Sequence, residues 1–169
     1  MYETLQLMYH YNSWAMSQLL QVLSKVTPAD YDAPGCSGNG SIRQTLAHLL
    51  TTQLGWFSWF DKSMTIQQSL SVRISPEEIA SVAVASARWR EIDEKTKKCI
   101  ESLSEEKARA VWPVNLPSGR SFSLPLWKMM LHVANHGTHT RAQIVAAVRR
   151  LGVDPGSYDM VNYLLNFGG

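Results

Sequence analysis

No aspartate or glutamate occurs between Ala33 and Phe60, nor between Lys107 and Val153, yet those two stretches hold four of the chain's five histidines. The absence is informative. Di-iron helical proteins build their centres from inward glutamates and Glu-x-x-His pairs, which these segments cannot supply. His132-Val133-Ala134-Asn135-His136 has the outer spacing of the HExxH metalloprotease motif, but Val133 stands where the general-base glutamate is required. Cysteine is also scarce. Cys36 and Cys99 are the two present, and they form no CxxC pair, which argues against a zinc ribbon, a thioredoxin-type centre or a secreted disulfide scaffold.

No apolar run approaches the ~20 residues needed to span a bilayer. The opening MYETLQLMYHYN carries an acid where a signal peptide would carry positive charge. A cytoplasmic protein outside the membrane is therefore expected. Sixteen basic and fourteen acidic residues leave a formal charge of +2, which gives no pull toward membrane or nucleic acid. Arg141, Arg149 and Arg150 are too few and too scattered to form a nucleic-acid groove. At 169 residues the chain fits a single domain, 1–169; a chain of that size buries about two-thirds of its unfolded surface without a disulfide.

What is present is mostly helical pattern. Leu5, Met8, Tyr9, Trp14, Leu19, Leu20 and Leu23 recur at helical spacing from Tyr2 to about Lys25, and Pro28 closes the segment. After the turn-rich PGCSGNG, Ser41 with Gln44 forms a capping box that opens a second helix running to about Phe60. Ser75-Pro76-Glu77-Glu78 announces a third, extending to about Leu103, with charged pairs on a solvated face. Val111 to Val114 and Ser121 to Ser123, around the turn Pro117-Ser118-Gly119-Arg120, predict a small hairpin or extended loop. A fourth helix runs from near Pro125 to Leu151, stopped by Gly152, and Tyr158 to Phe167 forms a short closing helix. The expected fold is all-α: a four-helix, up-down-up-down-like bundle with a short extended insertion before the last long helix.

The fourth helix carries the run HVANHGTHTRAQ, in which His132, His136 and His139 fall within about a 60° arc. His48 lies on the second helix. Neutral imidazoles from two helices suit zinc or nickel and leave an open coordination position, where a water or thiol would be acidified. The competing reading is a buried polar network with satisfied rings. Cys36, ahead of a helix N-terminus, is a rival nucleophile, although a small residue in a Gly-rich turn is the simpler account. His10 is a weaker pocket candidate. Trp14, Trp56, Trp59, Trp89 and Trp127 read as core residues, with one or two at a pocket mouth.

Four pieces together resemble the DinB/YfiT-like superfamily, a set of bacterial four-helix-bundle proteins that includes metal-dependent enzymes. Tyr11-Asn12-Ser13-Trp14-Ala15 resembles its YNxWA signature, Ser41 to Leu50 its SIxxxLAHLL segment, His132 to Gln143 its HxxxHxxxHRGQ helix, and Asp154 to Leu164 its G-x-x-P-x-x-x-D-x-x-x-Y-L ending. The resemblance implies a metal held by one histidine of the second helix and two of the fourth, transfer chemistry with a low-molecular-weight thiol or hydrolysis, a small-molecule substrate, and a homodimer. His48 and His136 match two ligand positions. The third is Thr140, a poor ligand for zinc or nickel. His139, or alternatively His132, is then the candidate third ligand. The alternative is a metal-free binding or interaction protein that keeps the fold around a vestigial site.

Overall fold

The computed structural model describes residues 2–116 and 118–167, and they are mainly helical. Four long helices dominate: α1 (Tyr2–Leu23), α3 (Ile42–Phe60), α5 (Val82–Glu101) and α7 (Leu126–Arg150). Short helices α2 (Pro28–Asp32), α4 (Ile66–Ser71), α6 (Glu105–Arg109) and α8 (Met160–Phe167) lie between or after them. β1 (Val111–Asn115) and β2 (Ser121–Pro125) pair antiparallel, with Pro113 opposite Ser123. That is the expected hairpin; of its turn, Pro117 lies outside the described residues.

The start of α3 follows from its first residues. Ser41 accepts a bond from the Gln44 backbone N–H at 3.0 Å, and the Gln44 side chain accepts from the Ser41 N–H at 2.8 Å. Two otherwise orphaned donors are satisfied reciprocally. The third long helix departs from expectation. Ser75-Pro76-Glu77-Glu78 opens only a 3-10 turn, Pro76–Ile79, and α5 begins at Val82 with Ser81 as its own N-cap. The turn sinks Ile79 into the core, and the second cap lets the chain restart in a new direction. Pro28 likewise begins a helix, α2, capped by Thr27, where only a stop was expected.

Each long helix packs against two others: α1 and α3 both touch α5 and α7. The core they enclose has two apolar parts. One gathers Met16, Leu19, Leu46, Leu50, Ile92 and Ile144. The other gathers Tyr9, Phe57, Phe60, Ile100, Met130 and Val133. Between them each long helix contributes buried polar side chains: Asn12, Gln53, Asp93 with Thr96, and Thr140 with Arg141.

The order of these parts along each helix fixes its direction. α1 and α7 run from the Tyr9 part toward the Met16 part, while α3 and α5 run the other way. The arrangement is up-down-down-up, which corrects the up-down-up-down expectation. The cause is the connection across residues 61–81, long enough with α4 and the 3-10 turn to carry the chain back along α3. No helix among the described residues is long and apolar enough to cross a membrane.

Candidate functional site

The antiparallel seam of α3 and α7 brings together two histidines far apart in sequence. Nε2 of His48 and Nε2 of His136 lie 3.0 Å apart, one donating to the lone pair of the other. Their rings meet edge to face, with centroids 5.0 Å apart. Both face the open side of the seam, His48 exposed and His136 half-buried. Burial lowers the His48 pKa. Burial, and then the neighbouring charges of His48, His132 and His139, push His136 down to about 4. Both rings are therefore neutral at physiological pH, the form a metal requires.

The other two histidines of α7 are not drawn into that pair. His132 sets its ring against Trp56 in a T-shaped contact, centroids 5.9 Å apart, and its ring centre stands 6.5 Å from that of His136. His139 Nε2 accepts from the Gln143 amide, 2.9 Å away. The Gln143 amide lies close against the PGCSGNG loop, where a side chain at Gly38 would overlap it. Arg150 secures the same loop by donating to the Cys36 carbonyl. Thr140, one turn after His136, is 1% exposed and packs into the polar band. Among the described residues no group of three or more His, Cys, Asp or Glu is placed to hold a metal ion. His10 is exposed on α1, away from this seam, beside Trp14 and Tyr163. Cys36 is half-buried in its loop.

Two imidazole nitrogens on one tetrahedral zinc stand about 3.3 Å apart, given Zn–N bonds near 2.0–2.1 Å. The observed separation is close to that, so the spacing of the two nitrogens suits an ion in place of the shared proton once the rings turn to face it. No carboxylate lies on α3 or α7 to offset its charge.

Behind the seam sits Arg141, 5% exposed. Its Nη2 donates to Asn12 Oδ1 at 2.7 Å and Thr138 Oγ1 at 3.2 Å, and its guanidinium lies 5.7 Å from the Tyr11 ring centre. Asn12 in turn donates to the Ala134 carbonyl. Tyr11, Asn12 and Arg141 thus tie α1 to α7 beneath the histidines. Sequence spacing alone did not reveal that link, because the residues stand in separate motifs on separate helices.

A groove opens beside His48 between α3 and the connection that follows it, with Trp56, Gly55, Thr51, Ser69 and Arg73 among its walls. Trp56 borders this groove, as Trp14 borders the pocket beside His10. Arg73 was missed because it lies in a connection with no motif.

A family model described as the DinB family matches residues 1–166. The chain is also similar to Protein DinB of Bacillus subtilis (strain 168), 24% identical over 162 residues, which cover 93% of this chain and 91% of that protein. The seam histidines, the Tyr-Asn segment of α1 and the Arg141 that joins them therefore lie within one matched stretch. This chain belongs to the DinB family.

Proposed function

We propose that the chain is a metal-dependent enzyme of the DinB/YfiT-like type, a cytoplasmic four-helix bundle in one domain. It acts on a small molecule by thiol-dependent S-transfer or hydrolysis and works as a homodimer. The observation that carries the reading is the 3.0 Å approach of the His48 and His136 nitrogens, both held neutral, on a carboxylate-free seam. These two rings would hold zinc or nickel. His139 is the first candidate for a third ligand and must give up the Gln143 amide to serve; His132 is the alternative and must leave Trp56.

A bound ion of this kind lowers the pKa of a thiol or water into the neutral range. The chain's own residues do the rest. The His136 ring stays unprotonated well below neutral pH, the Gln143 amide orients His139, and Arg141 with Asn12 fixes the spacing of α1 and α7 under the site.

A second reading has its own support. With Thr140 buried and His139 engaged by Gln143, only two imidazoles converge, as expected for a binding protein with a vestigial centre. Metal content per chain, measured by mass spectrometry on untagged protein after incubation with zinc and with nickel, separates the two. Near-stoichiometric metal that is lost in both His48→Ala and His136→Ala supports the enzyme reading. Wild-type protein without metal leaves the vestigial reading standing.

A further inference from the structure

We propose that the groove beside His48 is a binding site for a small organic oxyanion, its anionic group on Arg73 and its other end toward His48. The inference adds a substrate class to the proposed function, but the binding it describes needs no metal.

The groove has a cavity volume of about 350 Å³ and no Asp or Glu among its lining residues. That size lies in the range of small-molecule sites. Its cation is set in place by backbone. Arg73 Nη1 donates to the Leu70 carbonyl at 2.8 Å and the Val72 carbonyl at 2.6 Å. Nε and Nη2 take no acceptor in the protein, and Arg73 enters no ion pair, among the described residues. The guanidinium therefore keeps free donors in the fork geometry that suits carboxylate and phosphate oxygens.

The wall that carries Arg73 is anchored to the helix that carries His48. The Ile74 backbone N–H donates to Thr51 Oγ1 at 2.9 Å, and Ile74 is buried in the core. Thr51 is three residues from His48, about 5 Å along a helix axis, and His48 and Arg73 line the same cavity. Gly55 permits the close approach of α3 and α4: a Cβ there would lie 2.7 Å from the Ser69 carbonyl oxygen. Trp56 supplies an aromatic wall, and the side chains of Thr52 and Ser69 add polar positions along the cavity. Cation, aromatic wall and His48 together describe a site for a charged molecule with an apolar body.

The test is calorimetric titration of the full chain, freed of metal with EDTA, with three probes at millimolar concentration: 3-phenylpropionate, its neutral amide, and benzyl phosphate. At least one anion should bind about tenfold tighter than the amide, and Arg73→Gln should remove that preference. Which anion wins distinguishes a carboxylate from a phosphate ligand. Arg120→Gln, in the exposed hairpin turn, should leave binding unchanged. The proposal is overturned if neither anion binds, if the amide binds equally well, or if Arg73→Gln has no effect on a correctly folded protein. Because metal is absent throughout, failure here leaves the two-histidine reading intact, and failure of that reading leaves this one intact.

Discussion

Arg141 and Asn12 meet at 2.7 Å across 129 residues of sequence, the guanidinium donating to the amide oxygen inside the polar band. A buried guanidinium with an amide partner, and with no carboxylate partner among the described residues, depends heavily on that acceptor. Asn12→Ala should cost about 1–3 kcal/mol of stability, because it removes the shorter of two acceptors of a buried charged donor and leaves the Thr138 hydroxyl at 3.2 Å. Chemical denaturation measures the loss. An Asn12→Ala protein as stable as the wild type would show that Arg141 finds another partner.

Acid should weaken the fold through His136. Its pKa falls from 6.5 to about 4 on folding, so between those values the unfolded chain binds a proton that the folded chain refuses. That contribution is complete above about pH 6.5 and is lost as pH falls toward 4. Melting temperatures in EDTA should decline more steeply over this window for the wild type than for His136→Gln. Parallel curves would sink the idea.

Thr140 stands one helical turn beyond His136 and is almost fully buried. Thr140→His should bring a third imidazole toward the pair and tighten zinc binding by tenfold or more, as competition with a chromogenic chelator would show. A folded variant with unchanged affinity would mean that position 140 faces the core at the wrong angle. It would also favour His139 as the working third ligand.

Gly55→Ala sets two effects against each other. Alanine gains about 1 kcal/mol of helix propensity over glycine. Against that, its methyl group would meet the Ser69 carbonyl, a backbone atom that cannot swing aside. Overpacking costs of about 1–3 kcal/mol should win, lowering the melting temperature and pushing α4 away from α3. Equal or higher stability would refute the close approach.

The two thiols should react very differently. Cys99 is 3% exposed and burial pushes its pKa up to about 11. Cys36 is half-buried in the loop ahead of α3. Alkylation of the native protein should label Cys36 at least about tenfold faster, with Cys99 modified only in denaturant; mass spectrometry of the peptides reads this directly.

Where a local signal decided the structure, the sequence made it plain. Ser41 and Gln44 place the start of α3 because the capping box acts within four residues. Gly152 and the arginines before it similarly mark the end of α7. The histidine pair was legible as an expectation because a shared arc on α7 and a single histidine on α3 leave few ways to meet.

What escaped depended on distant packing. Ser75 and Ser81 both carry helix-starting signals, and only the burial of Ile79 decides that the first yields one turn and the second a helix. The parallel run of α3 and α5 is likewise written in no motif. The Gln143 amide that bonds His139 occupies space left by Gly38, a residue from another part of the chain.

That parallel run has a consequence for how such a protein can diversify. A chain that must travel back along the length of α3 before starting α5 lays a strap over one side of the histidine seam. The strap bears Arg73 and, apart from Ile66, Ile74 and Ile79, which pin it to the core, is mostly exposed or half-buried. Changes in its length or composition can therefore remodel what the groove admits while α3 and α7 keep His48 and His136 at the same separation, so recognition and chemistry are free to evolve on separate segments.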